Sequence, residues 1–204
     1  MTNKNILQTA GKEMQNKLYL DGCSLVYGDG LTKEQSLGNL FAELGGYDVT
    51  NLSRSGKSNL AIALDAYKNC QGHDVVILGF TFSSRFYIKY NEHDLDFFVG
   101  LKNNSLSIDN DFLDEAHINV YKYFYTVFGH PYCDELSDLL IDGVISFLKS
   151  QNKKVIAFSW EPRKVKSEIF YPYIPPRLRL SDGHLNQQGM IALYDYLQNI
   201  NGRE

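Results

Sequence analysis

The sequence has few cysteines and no long apolar run. Its three cysteines, Cys23, Cys70 and Cys133, are too few and too scattered for a disulfide framework, and none shares a C-x-x-C spacing with another. No apolar run reaches about 18 residues, and the N-terminal segment lacks the apolar core of a signal peptide. We therefore expect reduced thiols, no membrane span and a cytoplasmic protein.

The chain also lacks an excess of positive charge. Its formal net charge is -4, so it has no general attraction for phosphate backbones, and nucleic acid is not an expected partner. The five histidines show no H-E-x-x-H or comparable ligand spacing, which argues against a zinc hydrolase. We expect neither a metal ion nor an organic cofactor, and the sequence does not determine an oligomeric state.

Short β-rich runs alternate with amphipathic helical patterns along the chain. Four runs that end in small or polar residues are typical of parallel strands followed by loops: 18–22, 48–52, 74–80 and 153–160. Apolar stripes at helical spacing separate and follow them: Leu37, Leu40, Phe41 and Leu44; Leu60, Leu64 and Tyr67; Leu136, Leu139, Leu140, Val144, Phe147 and Leu148; Met190, Leu193, Tyr194 and Leu197. This alternation predicts an α/β fold with helices on both faces of a parallel sheet, and ligands at the carboxyl ends of its strands.

A chain of 204 residues fits one domain, 1–204. The stretch from about 82 to 133 is longer than a normal crossover and rich in aromatic residues, as in YKYFYTVF at 121–128. We interpret it as an insertion beside the strand ends, whose rings pack it onto the domain. A wall of the substrate site is the alternative interpretation.

Two short segments carry residues suited to nucleophilic chemistry. Ser24 follows the first strand directly, so its hydroxyl lies on a tight turn, where its backbone N–H can face a developing oxyanion. The segment Ser181-Asp182-Gly183-His184 precedes the last helix, and a carboxylate there can hold an imidazole in the tautomer that accepts a serine proton. The structural alternative is that Asp182 only turns the loop and His184 lies near an N-cap at Asn186.

These segments and the strand layout resemble the SGNH (GDSL-like) hydrolase family, which is named for Ser, Gly, Asn and His in four sequence blocks. The first block resembles LYLDGCSLVYGDGL, with Ser24 at the nucleophile position and Cys23 where the family usually has Asp. The second resembles VTNLSRSGKSN, with Gly56 on the glycine whose N–H serves the oxyanion hole. The last resembles DGHLNQQG, in which one residue instead of two separates Asp182 from His184.

The third block departs from the family pattern. The stretch that corresponds to Gly-x-Asn-Asp is VVILGFTFSSR, which has no asparagine. Thr81 stands nearest to that position and has one hydroxyl hydrogen to donate. Asn59, Ser83 and Ser84 are the alternative donors to an oxyanion.

The resemblance implies a three-layer α/β/α sandwich with a mainly parallel, flavodoxin-like sheet, and an esterase that acts on a small acyl ester such as an O-acetyl ester. It implies that Ser24 is the nucleophile, His184 the base and Asp182 the residue that orients the base. The oxyanion hole would consist of the N–H groups of Ser24 and Gly56, with Thr81 as the third donor. Because the asparagine is missing and Cys23 replaces an aspartate, a non-catalytic or acyl-transferring protein of the same fold is the alternative.

A P-loop NTPase is a remote alternative. Gly56-Lys57-Ser58 follows a possible strand, and Asp114-Glu115-Ala116-His117 resembles a helicase-type acidic box. However, a phosphate-binding loop needs glycine where Asn51 stands, and the acidic box lies in a polar segment instead of ending an apolar strand. Both matches are therefore interpreted as accidental, and the Lys57 side chain has no expected part in the chemistry.

Overall fold

The computed structural model describes residues 16–90, 93–102, 105–108 and 115–202. In chain order its elements are β1 (Lys17–Gly22), α1 (Ser24–Tyr27), α2 (Leu37–Glu43), β2 (Asp48–Asn51), α3 (Asn59–Asn69), β3 (Val75–Phe80), β4 (Arg85–Tyr90), β5 (His93–Lys102), β6 (Ser105–Ile108), α4 (Glu115–Ser150), β7 (Lys154–Ser159) and α5 (Gln187–Asn201). The four strands expected from the sequence correspond to β1, β2, β3 and β7, and all four are confirmed.

These four strands form one parallel sheet in the order β2-β1-β3-β7. Alternate side chains of its central strands point to two separate apolar cores, as strand geometry requires. Leu18 and Leu20 pack with α2 and α5 on one face, whereas Tyr19 and Val76 pack with α3 and α4 on the other. The three-layer α/β/α sandwich with a flavodoxin-like strand order is therefore confirmed.

A second sheet lies within the stretch 82–133 that the sequence marks as an insertion. It is antiparallel, with the strand order β4-β5-β6, and the sequence patterns do not predict it. The aromatic run 121–128 belongs to the first half of α4. Most side chains of that run lie outside the described residues, but Tyr123 is 71% exposed.

In the acidic box Glu115 begins α4, whereas Asp114 lies outside the described residues.

The helical stripes differ in how well they identify the buried face. All four residues of the α5 stripe are buried, as expected. On α3, however, Leu60 and Tyr67 are exposed, and the buried face carries Ile62 and Ala66. On α4, Leu136 and Leu139 are likewise exposed, while Ile141, Ile145 and other residues fill the core. The prediction of the buried face of α3 is wrong because small alanines allow this helix to lie close to the sheet. A prediction based on large apolar residues selects the opposite face of the helix.

Two paired glycines bring α1 into contact with the sheet. Gly22 at the end of β1 is opposite Gly79 of β3. A Cβ atom on Gly79 would lie 2.4 Å from Val26 Cγ2 and 2.6 Å from the Phe158 ring, and one on Gly22 would also lie 2.4 Å from Val26 Cγ2. The absence of both Cβ atoms lets Val26 pack directly on the strand ends. Ser24, at the start of α1, is thereby held against the carboxyl edge of the sheet.

A fully buried lysine joins β1 to the loop that precedes α3. The Lys57 ammonium lies 2.6 Å and 2.7 Å from the two carboxylate oxygens of Asp21, donates to the Leu52 carbonyl at 3.0 Å, and lies 2.6 Å from Asp65 Oδ2. Burial raises the pKa of Asp21 to about 6, although the Lys57 charge opposes this effect. The ammonium is enclosed by protein groups and therefore cannot reach a phosphate, which argues against the P-loop alternative.

We predict that Gly79→Ala lowers the free energy of unfolding by about 1 to 3 kcal/mol, because its Cβ atom would overlap Val26 and Phe158. Gly143→Ala is the matched control, since Gly143 lies in α4 with no atom near its missing Cβ. It should raise the same quantity by about 0.5 to 1 kcal/mol. Urea unfolding of both variants tests the close packing of α1 on the sheet. Equal changes in the free energy of unfolding in the two variants would disprove this packing.

We predict that Lys57→Met lowers the free energy of unfolding by about 3 to 5 kcal/mol near pH 7, because it leaves the buried Asp21 carboxylate without its cation. Lys68→Met, at an exposed position of α3, should change it by less than about 0.5 kcal/mol. Urea unfolding of the two variants gives both free energies of unfolding. A loss in Lys57→Met no larger than in Lys68→Met would show that the buried ion pair does not contribute to stability.

The loss of stability in Lys57→Met should depend on pH in a defined direction. The folded-state pKa of Asp21 is raised to about 6, above the value of about 3.9 for an unfolded chain, so the folded protein binds more protons between these values. Removal of the Lys57 charge raises the folded-state pKa of Asp21 further, because that charge opposes the effect of burial. The stability deficit of Lys57→Met should therefore be smallest near pH 4 and grow as the pH rises above 6, as unfolding measurements across that range will show.

Candidate active site

Ser24 lies at the point where the strand order of the sheet reverses. The chain leaves β1 toward β2 on one side, and β3 lies on the other side, which is the position where open α/β sheets place their ligands. Ser24 begins α1 there, at 3% exposure. Its main-chain N–H donates no hydrogen bond within the described part of the chain. The neighbouring Cys23 is buried in the core together with residues of α5.

The loop that contains Gly56 is fastened to the end of β1. Leu52 N–H donates to the Leu20 carbonyl at 2.9 Å, and Arg54 N–H donates to the Gly22 carbonyl at 3.2 Å. Gly56 has a φ of +76°, a left-handed conformation that favours glycine. Like that of Ser24, its N–H has no acceptor among the residues described. Two unpaired main-chain donors therefore lie on segments that meet at the end of β1.

The candidates for a third donor differ in what their polar groups already bind. Asn59 donates both amide hydrogens, to the Thr81 carbonyl at 3.0 Å and to Ser137 Oγ at 2.7 Å. Ser83 donates its hydroxyl hydrogen to Asp134. The Thr81 main-chain N–H is bound to Asn59 Oδ1 at 2.7 Å, but its hydroxyl is buried without a partner. Among these three residues, only Thr81 keeps a side-chain donor free. Ser84 is buried as well.

The Thr81 segment is fixed by a residue that the sequence analysis missed. Arg163 follows β7, and its guanidinium, with a side chain only 2% exposed, donates to the Thr81 carbonyl and to Glu161. It also lies 3.8 Å from Asp134 and 3.9 Å from Asp138 on α4. No motif surrounds Arg163 in the sequence, so its role emerges only when β3, β7 and α4 are brought together.

Asp182 and His184 are in direct contact despite their short spacing. Asp182 Oδ1 accepts the His184 main-chain N–H at 3.0 Å, and Oδ2 lies 3.0 Å from ring atom Nδ1, although the ring is not aligned for a hydrogen bond. These contacts with the ring and the N–H of His184 lower the pKa of Asp182. Asp182 thus turns the loop and also faces the imidazole. Asn186 caps α5 by accepting the Gly189 N–H at 3.0 Å.

The other ring nitrogen of His184 faces a second carboxylate. Nε2 lies 3.8 Å from Asp29 Oδ2, and that oxygen accepts the Ser55 hydroxyl at 2.5 Å. Asp29 belongs to the turn after Ser24, since its N–H donates to the Ser24 carbonyl at 3.1 Å. Among the described residues no hydrogen bond joins the Ser24 hydroxyl to the His184 ring. The structure thus joins Asp182 to His184 and brings the ring to the Ser24 turn through Asp29.

The described residues show neither a candidate metal site nor a membrane-spanning helix. They contain no group of three or more His, Cys, Asp or Glu side chains that could hold a metal ion. None of their helices is long and apolar enough to cross a membrane.

Comparison with known proteins gives a match in structure but not in sequence. The sequence matches no family model and no curated protein. In structure the chain is similar to EstA, a psychrotrophic esterase from Pseudoalteromonas sp., with a TM-score of 0.52 and 12% identity over 93% of this chain and 100% of that one.

Two other solved structures match to a similar extent. TesA has a TM-score of 0.54 and 12% identity over 92% of this chain and 98% of its own. The acetyl xylan esterase Est2A from the rumen bacterium Butyrivibrio proteoclasticus has a TM-score of 0.50 and 11% identity over 92% of this chain and 64% of its own. The chain therefore has the fold of the SGNH (GDSL-like) hydrolases.

Proposed function

We propose that the protein is a serine hydrolase that cleaves a small acyl ester with Ser24, His184 and Asp182. The observation that carries this proposal is the 3.0 Å contact between Asp182 Oδ2 and His184 Nδ1. Because Asp182 lies at Nδ1, Nε2 is the nitrogen that is left for the nucleophile. The contact between Nε2 and Asp29, on the turn that follows Ser24, supports this orientation.

In the proposed reaction the Ser24 oxygen attacks the acyl carbonyl carbon while His184 Nε2 takes the hydroxyl proton. The C–O bond to the alcohol then breaks, and Nε2 returns the proton to the departing alcohol oxygen. Water attacks the resulting acyl-serine with His184 as base, which releases the carboxylic acid and restores Ser24. Asp182 holds the imidazole in place and stabilises its positive charge in both steps.

The main-chain N–H groups of Ser24 and Gly56 are the proposed oxyanion donors. Both lack an acceptor within the described chain, and both segments are bound to the end of β1. Each donor of this kind contributes roughly 3 to 4 kcal/mol to transition-state stabilisation. Thr81 is the proposed third donor because its hydroxyl is unpaired, and its use requires that substrate binding uncover this buried group.

A mainly apolar cavity next to the Thr81 segment is the proposed position of the acyl half of the ester. Its volume is about 380 Å³, and it lies between α3, β4 and α4. Asn59 and Ser83, which flank the Thr81 segment, line it together with apolar side chains such as Leu60, Leu136 and Leu140. Most of the other lining side chains are apolar, which favours an apolar acyl group, but Arg85 also lines the cavity, and its buried Nη1 has no hydrogen-bond partner among the described residues.

A non-catalytic or acyl-transferring protein is the alternative function. The buried Thr81 hydroxyl favours it, since an oxyanion donor must be reachable by the substrate. Turnover of an ester in water, with and without an added alcohol acceptor, distinguishes hydrolysis, transfer and loss of catalysis.

We predict that Ser24→Ala lowers kcat/KM for p-nitrophenyl acetate by about 1000-fold or more, because it removes the nucleophile. Cys23→Ala should retain most of the activity, since this thiol is buried in the core. Circular dichroism of both variants checks that they are folded. Near-normal turnover by folded Ser24→Ala would exclude the proposed nucleophile.

We predict that Ser24→Ala combined with His184→Ala is about as inactive as either single variant, because each residue acts only through the other. Asp182→Asn should lower kcat/KM by about 100-fold to 10,000-fold, since the amide no longer fixes the required tautomer. Additive losses in the double variant would remove His184 from the mechanism.

A further inference from the structure

Asp29 is a carboxylate at the candidate site that the relay does not use. It lies 3.8 Å from His184 Nε2, and its side chain is 23% exposed. Its carboxylate contacts the Ser55 hydroxyl and the imidazole, and no lysine or arginine within the described chain forms an ion pair with it. Its charge is therefore not neutralised by a fixed cation.

The turn itself does not require this side chain. Gly28 and Gly30 have φ values of +92° and +81°, so the glycines adopt the left-handed conformations of the turn. The Asp29 main-chain N–H closes the turn on the Ser24 carbonyl at 3.1 Å. The carboxylate is thus available for a contact outside the turn.

The chemistry at Nε2 decides which half of an ester the carboxylate would meet. The protonated imidazole gives its proton from Nε2 to the departing alcohol oxygen, so the alcohol half lies beside Nε2 when the acyl–oxygen bond breaks. A group 3.8 Å from Nε2 is within reach of the next atoms of that alcohol. The acyl half extends to the other side of the carbonyl carbon.

We propose that Asp29 determines specificity for the alcohol half of the substrate. Its carboxylate accepts hydrogen bonds from a hydroxyl-bearing alcohol or attracts a cationic one, and it repels an anionic alcohol. The substrate class is then an ester of a polyhydroxy or cationic alcohol. This inference rests on the proposed ester hydrolysis and adds which half of the ester is recognised, and by what charge.

The test compares four acetate esters of similar size whose alcohols differ in charge and polarity: choline, ethylene glycol, 1-propanol and glycolate. The acyl group is constant, and acetate release gives kcat/KM for each ester. Wild-type protein should hydrolyse the glycolate ester about tenfold less efficiently than the propyl ester, and at least one of the other two about tenfold more efficiently. Choline and ethylene glycol separate attraction of a cation from hydrogen bonding.

Asp29→Asn should bring the anionic and propyl esters to within about threefold of each other. Asp195→Asn, on an exposed position of α5, changes the net charge by the same amount and should keep the wild-type order. The ratio of kcat/KM between two esters is unaffected by a loss of folded protein, so this ratio separates an effect on specificity from an effect on stability. The proposal is overturned if Asp29→Asn keeps the same ratios as Asp195→Asn.

A binding measurement separates this proposal from the proposed hydrolysis. The Ser24→Ala protein should bind choline or ethylene glycol better than glycolate in ligand-observed NMR, and Asp29→Asn in that background should abolish the preference. If no ester is hydrolysed but this preference is present, ester hydrolysis fails and the charge recognition stands. If esters are hydrolysed with no charge preference in either assay, only the Asp29 proposal fails.

Discussion

The buried contact between Lys57 and Asp21 is the constraint on which the geometry of the site depends. Lys57 is the residue after Gly56, and Asp21 is three residues before Ser24, so this ion pair connects the two segments that carry the unpaired N–H groups. Asp65 adds a second carboxylate from α3. A fully buried ammonium cannot leave two carboxylates without a large desolvation penalty, so the Gly56 loop keeps its position on β1.

The glycine pair at the strand ends complements this constraint from the opposite face. Because Gly22 and Gly79 lack Cβ atoms, Val26 lies against both strands and α1 begins without an intervening loop. Ser24 is therefore placed by rigid elements on both sides, the sheet edge below and α1 after it. A side chain on such a support has little freedom to reorient, which suits the proposed role of Ser24 as a nucleophile beside preorganised donors.

The sequence predicts the parallel sheet well because buried parallel strands are short apolar runs with polar ends. It predicts α5 equally well, since that stripe carries large apolar residues. It does not predict the buried face of α3, where the close approach of Ala66 and its neighbours matters more than the size of the side chains. The sequence patterns also do not predict the antiparallel sheet β4-β5-β6, because its strands lie inside a stretch whose most visible feature is its aromatic content.

Within the candidate site, the sequence identifies residues that act through local contacts and misses those that act across the fold. Asp182 and His184 are neighbours in the chain, so their contact follows from the loop itself. Arg163 reaches the Thr81 carbonyl from a different strand end, which no local motif encodes. Asp29 lies between two glycines, in a context that turn chemistry alone explains. Its approach to His184 depends on how the last loop packs.

The two carboxylates around His184 have different geometric relations to the ring, and this difference is compatible with a working base. At 3.0 Å, Asp182 Oδ2 is within contact distance of Nδ1, whereas Asp29 Oδ2 at 3.8 Å is too far from Nε2 for a hydrogen bond. Ser55 donates a hydrogen bond to that same Asp29 oxygen at 2.5 Å. In the proposed mechanism Nε2 is thus free for the Ser24 proton, and both carboxylates stabilise the positive charge that the ring would acquire.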